Sequence, residues 1–507
     1  MSGRQNADSH QWILREGGVT MRPNAGLRSF DHHQTKMCRG RRTAGPRLLP
    51  LIACGWLLTG CVGHPPAAVD AGERVEVRMI EPVGEGATQQ WPQWRGPSRQ
   101  SVVDSAGYPD RWSHEENVVW RSEVPGRGHS SPIVWDDRIF LTTAYDQYLD
   151  EPIQQILGQQ GDRVFLDNDD RVRSVLCFRR DDGQLLWETF VPQRAEPEEG
   201  WPKSSYASST PVTDGQRVYA YFGNHGLLAV DFDGNVVWHQ DLGSIRNVSR
   251  GTACSPLLYE NLVILFQDHG GPDGSFIAAF DRESGQQVWR TERSARVGWS
   301  SPIAVRAVNQ AGTARDKIVT SSQMQVQAYD PLTGALLWNC DGLTAEVVPS
   351  PVVGEGLIFA SSGRQGPTLA IRPGGSGDVT GDRLVWRETR GSPFVPSPLL
   401  YQGYLYTLND MIRVLTCHDA ATGEMMYRER LEGEAVGHGI SSSPIGVDGK
   451  VFITVDDGQT LVVRAGPEFE LLHVNQLDSY VFASPALLDG RWYFRTYRHL
   501  LCIGQPP

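Results

Sequence analysis

The chain has 507 residues, a formal net charge of −12, 21% charged residues, 54 glycines and 32 prolines. That length is enough to bury a large core. The acidic balance argues against a nucleic-acid partner, which would need a basic surface for phosphate, and it favours solubility.

From the N-terminus, residues 1–36 precede Met37 and show neither a targeting pattern nor the periodicity of a fold, as a mis-set gene start would leave. Arg39, Arg41, Arg42 and Arg47 then lead into the apolar run Leu48–Gly60. That run is too short to cross a bilayer as a helix and is built like a secretory signal, placed at 37–60. Leu58-Thr59-Gly60-Cys61 is similar to a bacterial lipobox. The resemblance implies a lipid on Cys61 and a chain anchored at a membrane of the cell envelope, facing the periplasm; the alternative is a signal cleaved elsewhere. Residues 61–90, rich in Pro, Ala, Gly and Glu without periodicity, are expected to form a flexible tether.

The rest, 91–504, is built by repetition. Seven Ser-Pro steps and one Thr-Pro step, at Pro132, Pro211, Pro256, Pro302, Pro351, Pro398, Pro444 and Pro485, each precede a short apolar strand. After the first interval these prolines are 45, 46, 49, 47, 46 and 41 residues apart. A period of about 40 to 50 residues belongs to propellers or solenoids. Within a period, runs such as Ser255–Gln267, Ser275–Asp281 and Gln286–Arg290 are short and β-rich, with Asn, Asp and Gly turns and no amphipathic helical window. Each period therefore reads as one four-stranded blade.

Five blades place an aromatic residue four positions after a turn glycine: Gly183/Trp187, Gly234/Trp238, Gly285/Trp289, Gly334/Trp338 and Gly423/Tyr427. A ring at a fixed place fills the wedge between neighbouring sheets, so these are core residues. Trp386 and the run Glu470–Val474 close the two less regular blades. Asp231, Asp281, Asp330 and Asp419 precede their glycines by three or four positions, which suits carboxylates that accept backbone N–H groups within the turn. Arg179 stands in that place in the first blade, whose turn must close differently. The last period supplies three strands, while Asn117–Arg121 offers an aromatic strand ahead of the first Ser-Pro. The two ends are expected to share one blade, which removes an open sheet edge. The predicted fold is all-β: an eight-bladed propeller of four-stranded antiparallel blades, with 98–113 packed across the ring as a loop.

The pattern Ser-Pro-(apolar strand)-Asp-Gly, followed by Leu-x-Ala-x-Asp-x-x-Thr-Gly-x-x-x-Trp, resembles the pyrroloquinoline-quinone-type (PQQ-like) propeller repeat. Quinoprotein alcohol dehydrogenases and BamB-like outer-membrane assembly lipoproteins share it. The opening Trp91-Pro-Gln-Trp-Arg-Gly-Pro97, with Val119-Trp120 and Gly126–Pro132, resembles the BamB-like propellers. The resemblance covers 91–504 and specifies the fold more than the activity, because enzymes and scaffolds both use it. On the dehydrogenase side it implies PQQ with calcium, an adjacent Cys-Cys pair and a Glu, Asn and Asp set. The chain has no Cys-Cys and no motif onto which the calcium and base residues map, so no catalytic residue and no metal ligand is named. On the BamB side it implies loops that bind protein partners in outer-membrane assembly, without a cofactor.

Candidate binding positions lie where segments enter the innermost strands and line the channel: Arg127, His129, Tyr206, Arg250, Trp299, Phe394, His438 and Tyr480. Such a ring could hold a planar anion, with Trp299 stacking and Arg127 or Arg250 pairing a carboxylate. The competing reading is a channel wall whose polar groups satisfy one another. Asp268–Gly274 and Asp456–Gly458 lack the oxygen-ligand spacing of a calcium loop and read as turns. The acidic stretch 162–170 reads as a solvated loop. Cys177, Cys254, Cys340, Cys417 and Cys502 are odd in number and lie in or beside apolar runs, which favours buried free thiols. Three functions follow: a non-catalytic protein-interaction scaffold foremost, a periplasmic PQQ-dependent dehydrogenase, and a propeller that binds a sugar or cell-wall fragment through Trp299.

Overall fold

Each Ser-Pro or Thr-Pro step opens the innermost strand of an antiparallel sheet, and eight such sheets form an eight-bladed propeller. The computed structural model describes residues 76–145, 172–192, 204–245, 251–271, 273–296, 298–309, 311–363, 366–431 and 439–505. Blades are numbered 1 to 8 from Pro132 to Pro485. Blade 3 is representative: strands Leu257–Tyr259, Leu262–Gln267, Phe276–Asp281 and Gln287–Glu292 follow one another outward as a meander. In blade 8, Ala486–Leu488, Arg491–Arg495 and His499–Ile503 are completed by Val118–Glu123, which pairs antiparallel with His499–Ile503. The two ends close the ring as expected.

The serine of the repeat has a purpose that the strand pattern does not reveal. The backbone N–H of each donates to the hydroxyl of its counterpart in the next blade: Ser131 to Thr210 (2.9 Å), Thr210 to Ser255 (3.1 Å), Ser255 to Ser301 (2.9 Å) and Ser301 to Ser350 (2.6 Å). Ser350 to Ser397 (2.9 Å), Ser397 to Ser443 (3.0 Å) and Ser443 to Ser484 (2.9 Å) continue the belt. Every member is buried, and a buried N–H left without an acceptor costs about 1–3 kcal/mol.

In five blades the tryptophan of the outer strand docks on the next blade. Indole N–H groups of Trp120, Trp187, Trp238, Trp289 and Trp386 donate to the carbonyls of Arg180, Phe232, Arg282, Pro331 and Ala420. The rings lie on Gly183, Gly234, Gly285, Gly334 and Gly423, all at positive φ, where a Cβ would strike the indole. Within a blade, the residue opposite the aromatic must be small: Ala229, Ala279, Ala328 and Ala370 face Trp238, Trp289, Trp338 and Trp386. Cys177, Cys417 and Cys502 fill the same place opposite Trp187, Tyr427 and Trp120. All five described cysteines are buried free thiols, as the sequence suggested. The turn carboxylates also behave as expected, Asp281 Oδ1 accepting from Glu283 N and Ser284 N, and Asp330 Oδ1 from Leu332 N and Thr333 N. In blade 1, Asp182 Oδ1 accepts from Gln184 N and lies 3.5 Å from Arg179, which is how that turn closes.

One boundary is corrected. The tether was expected to reach Gln90, yet Glu76–Met79 is a strand paired with Ile303–Val308 on blade 4, and Ala87 and Trp91 are buried. The low periodicity of 76–90 reflects a segment that packs against the ring instead of repeating with it. Residues 1–36, the signal at 37–60, Cys61 and the remaining tether to 75 lie outside the described residues, as does the acidic stretch 162–170.

Candidate functional site

The central channel is crossed by the chain's own segment 91–101. Trp91 bridges Val134 of blade 1, and Pro92 O accepts from Thr213 N of blade 2. Arg99 donates to Pro256 O (3.0 Å) of blade 3 and Pro302 O (3.4 Å) of blade 4. Gln100 Oε1 accepts from Val353 N (2.7 Å) of blade 5, Arg95 donates to Pro398 O (2.6 Å) of blade 6, and Ser101 O accepts from Gly446 N of blade 7. A little further on, Pro109 O accepts from the Trp492 indole of blade 8. The repeat prolines thus contribute carbonyls that point at the axis, and two arginines of the Trp91–Pro97 opening and its sequel collect them. Both guanidinium groups are buried, which pushes their pKa down to about 9 and leaves them charged at neutral pH.

The loops that enter the innermost strands form the channel mouth. Arg127, buried, donates to Ser204 O (2.6 Å). His129 N donates to Ala207 O, and its ring lies 4.8 Å from Phe482, on which Tyr480 stacks. Tyr206 lies under the Arg173 guanidinium at 5.2 Å. Trp299 donates its indole N–H to Gly251 O (2.9 Å). The Phe394 backbone N–H is held by Asp410 Oδ1 (2.8 Å), and its ring crowds Gly363. Of the candidates, only His129 and Tyr480 are seen to meet, through Phe482, whereas Trp299 is tied to Gly251 on the entry loop of the preceding blade. Arg250 and His438 lie outside the described residues.

Sequence reasoning missed most of the charged groups of this layer, which sit at or beside the ends of inner strands. Asp268 and Arg293 form an ion pair (3.1 Å) with both side chains fully buried. Burial pushes the Asp268 carboxyl up to about 7 against the lowering effect of Arg293. The expectation that Asp268 only shapes a turn is thereby corrected: its carboxylate faces a cation from the fourth strand's exit. Asp410 accepts from Phe394 N and Val395 N, with burial raising its pKa, and Asp456 Oδ1 accepts from Ser441 N (2.7 Å). Arg173 meets His225 Nε2 at 3.0 Å. Arg495 donates to Ser130 Oγ (2.6 Å) and Thr142 O (2.7 Å), and burial lowers it to about 9. A signal existed, since five second strands end in or beside polar residues: Gln267-Asp268, Ser321-Ser322, Ser361-Ser362, Asn409-Asp410 and Arg495-Thr496.

Residues 171–380 match the family model described as outer membrane protein assembly factor BamB. These blades carry the PQQ-like, BamB-like repeat. No curated protein matches the chain. Among solved structures, BamB from Moraxella catarrhalis is similar at 13% identity over 68% of this chain and 99% of that one, with a TM-score of 0.46. Quinohemoprotein alcohol dehydrogenases from Pseudomonas putida HK5 (ADHIIG) and Comamonas testosteroni are each similar at 12% identity over 83% of this chain and 82% of theirs, with a TM-score of 0.54. At that identity the dehydrogenases share the fold alone with this propeller.

PQQ with calcium would require oxygen ligands gathered at one point. Among the described residues no group of three or more His, Cys, Asp and Glu is placed to hold a metal ion. The mouth carboxylates are already engaged, Asp268 by Arg293, Asp410 by two amides and Asp456 by Ser441 N. The described residues do not fit the group, and no catalytic step is derived through it.

Proposed function

We propose that this chain is a lipid-anchored, non-catalytic scaffold of the cell envelope that binds protein partners at the mouth of its propeller. The observation that carries the reading is the chemistry of that face. Its polar wall is engaged in tying loops together, while the turns beyond the second strands of blades 4 and 6 present Met324, Met411 and Ile412 at 54%, 60% and 40% exposure. Flexible, polarisable methionines beside a rigid polar wall suit an adaptable protein contact. The family match over 171–380 supports the same role, since that family is described as an outer membrane assembly factor. Anchoring through Cys61 and a periplasmic position belong to this reading and rest on the lipobox.

The test is site-specific photo-crosslinking from Met411 in intact cells. The reading expects one discrete envelope-protein adduct that is lost when Ile412→Asp is added and retained when an outer-strand residue such as Val288 is changed to Asp. A lack of any discrete adduct from both Met411 and Met324 would refute it. Labelling with radioactive palmitate, abolished by Cys61→Ser, tests the anchor separately.

A further inference from the structure

A second site lies on the flank of the propeller, between blades 4 and 5. In blade 5 the turn between the third and fourth strands is expanded into Arg372–Arg383, which folds back over blade 4. Gly377–Asp378 pairs parallel with Trp338–Asn339, Val379 N donates to Asn339 O, and Thr380 Oγ1 accepts from Asp341 N (2.8 Å). The insertion is thus pinned, and between it and the protruding hairpin of Ile303–Val308 and Ala314–Ser322 it leaves a cleft of about 350 Å³.

The cleft wall carries three cations, Arg315, Lys317 and Arg383. Arg315 and Lys317 alternate with Asp316 along one strand and so share the face that Asp316 does not. The carboxylates that could neutralise them are committed elsewhere. Asp316 takes a two-pronged contact from Arg306 (2.7 Å at each oxygen) and the Tyr259 hydroxyl, Asp378 caps Thr380, and Asp341 accepts from Gln325. Lys317 is only 6% exposed as a residue; among the described residues no hydrogen bond or ion pair engages its ammonium, whose nitrogen is not fully enclosed and so opens on the cleft. A mostly buried cation without a counter-charge is costly and is retained where something compensates it. Burial, reinforced by Arg315, lowers its pKa accordingly.

We propose that this cleft binds an oxyanion of the phosphate or sulfate class carried on a small organic body, with Lys317 and Arg383 taking the anion and Leu337 and Pro373 covering the apolar part. Arg383, as a planar fork, supplies two parallel donors, and Lys317 a point charge from below. The anion supplies the charge that Lys317 lacks.

Calorimetric titration of residues 62–507 with inorganic phosphate, sulfate and phenyl phosphate is the test. Saturable binding is expected, phenyl phosphate several-fold tighter than inorganic phosphate, and affinity reduced at least about tenfold in both Lys317→Met and Arg383→Gln. Lys317→Met is expected to keep or raise the thermal midpoint without ligand, because it removes an uncompensated buried charge, while losing the rise that phosphate gives the wild type. Binding that does not saturate by about 50 mM, or equal affinity in folded Lys317→Met, would overturn the proposal. If Lys317→Met fails to fold, Arg383→Gln at the cleft rim decides by the same criterion.

Discussion

Replacing Arg293 by Met should destabilise the propeller in a way that depends on pH. Arg293 and Asp268 are both fully buried, 3.1 Å apart, with Arg293 also donating to Thr320 and Ser322. Removing the cation leaves an uncompensated carboxyl in a buried layer, where keeping it ionised costs about 3–5 kcal/mol. The Asp268 pKa, already raised from 3.8 to about 7 by burial, must rise further without the guanidinium. A carboxyl whose folded pKa is raised takes up protons on folding, so its contribution weakens as pH climbs from the unfolded value towards the folded one. At pH 5.5 Asp268 is protonated in the variant and the loss falls to that of the guanidinium hydrogen bonds, about 1–2 kcal/mol. Protonation of the variant's carboxyl limits the extra loss at pH 8 to about 1.4 kcal/mol above the hydrogen-bond loss, about 2–3.5 kcal/mol in all; with about 2.1 cal/mol/K per residue over about 430 residues this corresponds to a drop of about 2–4 °C in thermal midpoint. Differential scanning fluorimetry at both pH values reads it, and Asp268→Asn added to Arg293→Met should recover most of the pH 8 loss. A loss of the same size at pH 5.5 and pH 8 would refute this reasoning.

Ser301→Ala removes the acceptor of the buried Ser255 N–H, and a cost of about 1–3 kcal/mol is expected by chemical denaturation; Ser301→Thr, which keeps the hydroxyl, should cost less. Gly285→Ala forces a side chain to positive φ with its Cβ 2.6 Å from the Trp238 ring, so about 2–4 kcal/mol should be lost, visible as a shifted, red tryptophan emission on partial unfolding. Burial pushes the thiols of Cys177, Cys254, Cys417 and Cys502 up to about 12, so a thiol reagent at pH 8 should leave the native domain unmodified and titrate five thiols only after denaturation.

The repeat made the ring legible because each blade solves the same packing problem with the same residues. Trp238 must meet a glycine, Gly285, and a small partner, Ala229, so the spacing survives where the rest varies. The shared blade was legible because Asn117–Arg121 and the last period each lacked what the other offered. The channel segment was legible in outline, since 98–113 was expected across the ring, but not that Arg95 and Arg99 reach Pro398, Pro256 and Pro302 over separations of more than 150 residues, because nothing local in a sequence marks such a contact. The mouth was half legible. Position entering a strand located Arg127 and Trp299, but not that backbone carbonyls at Ser204 and Gly251 already receive their N–H groups. Asp268 and Arg293 escaped because their pairing joins the end of a second strand to the exit of a fourth, a distance of 25 residues.

The proposed scaffold would present surfaces to partners and run no quinone chemistry in its channel. Calorimetric titration of residues 62–507 with PQQ and calcium, with dye reduction followed in the same samples, addresses it most directly. The account predicts no saturable quinone binding and no turnover of alcohols or sugars. Stoichiometric binding accompanied by dye reduction would contradict it.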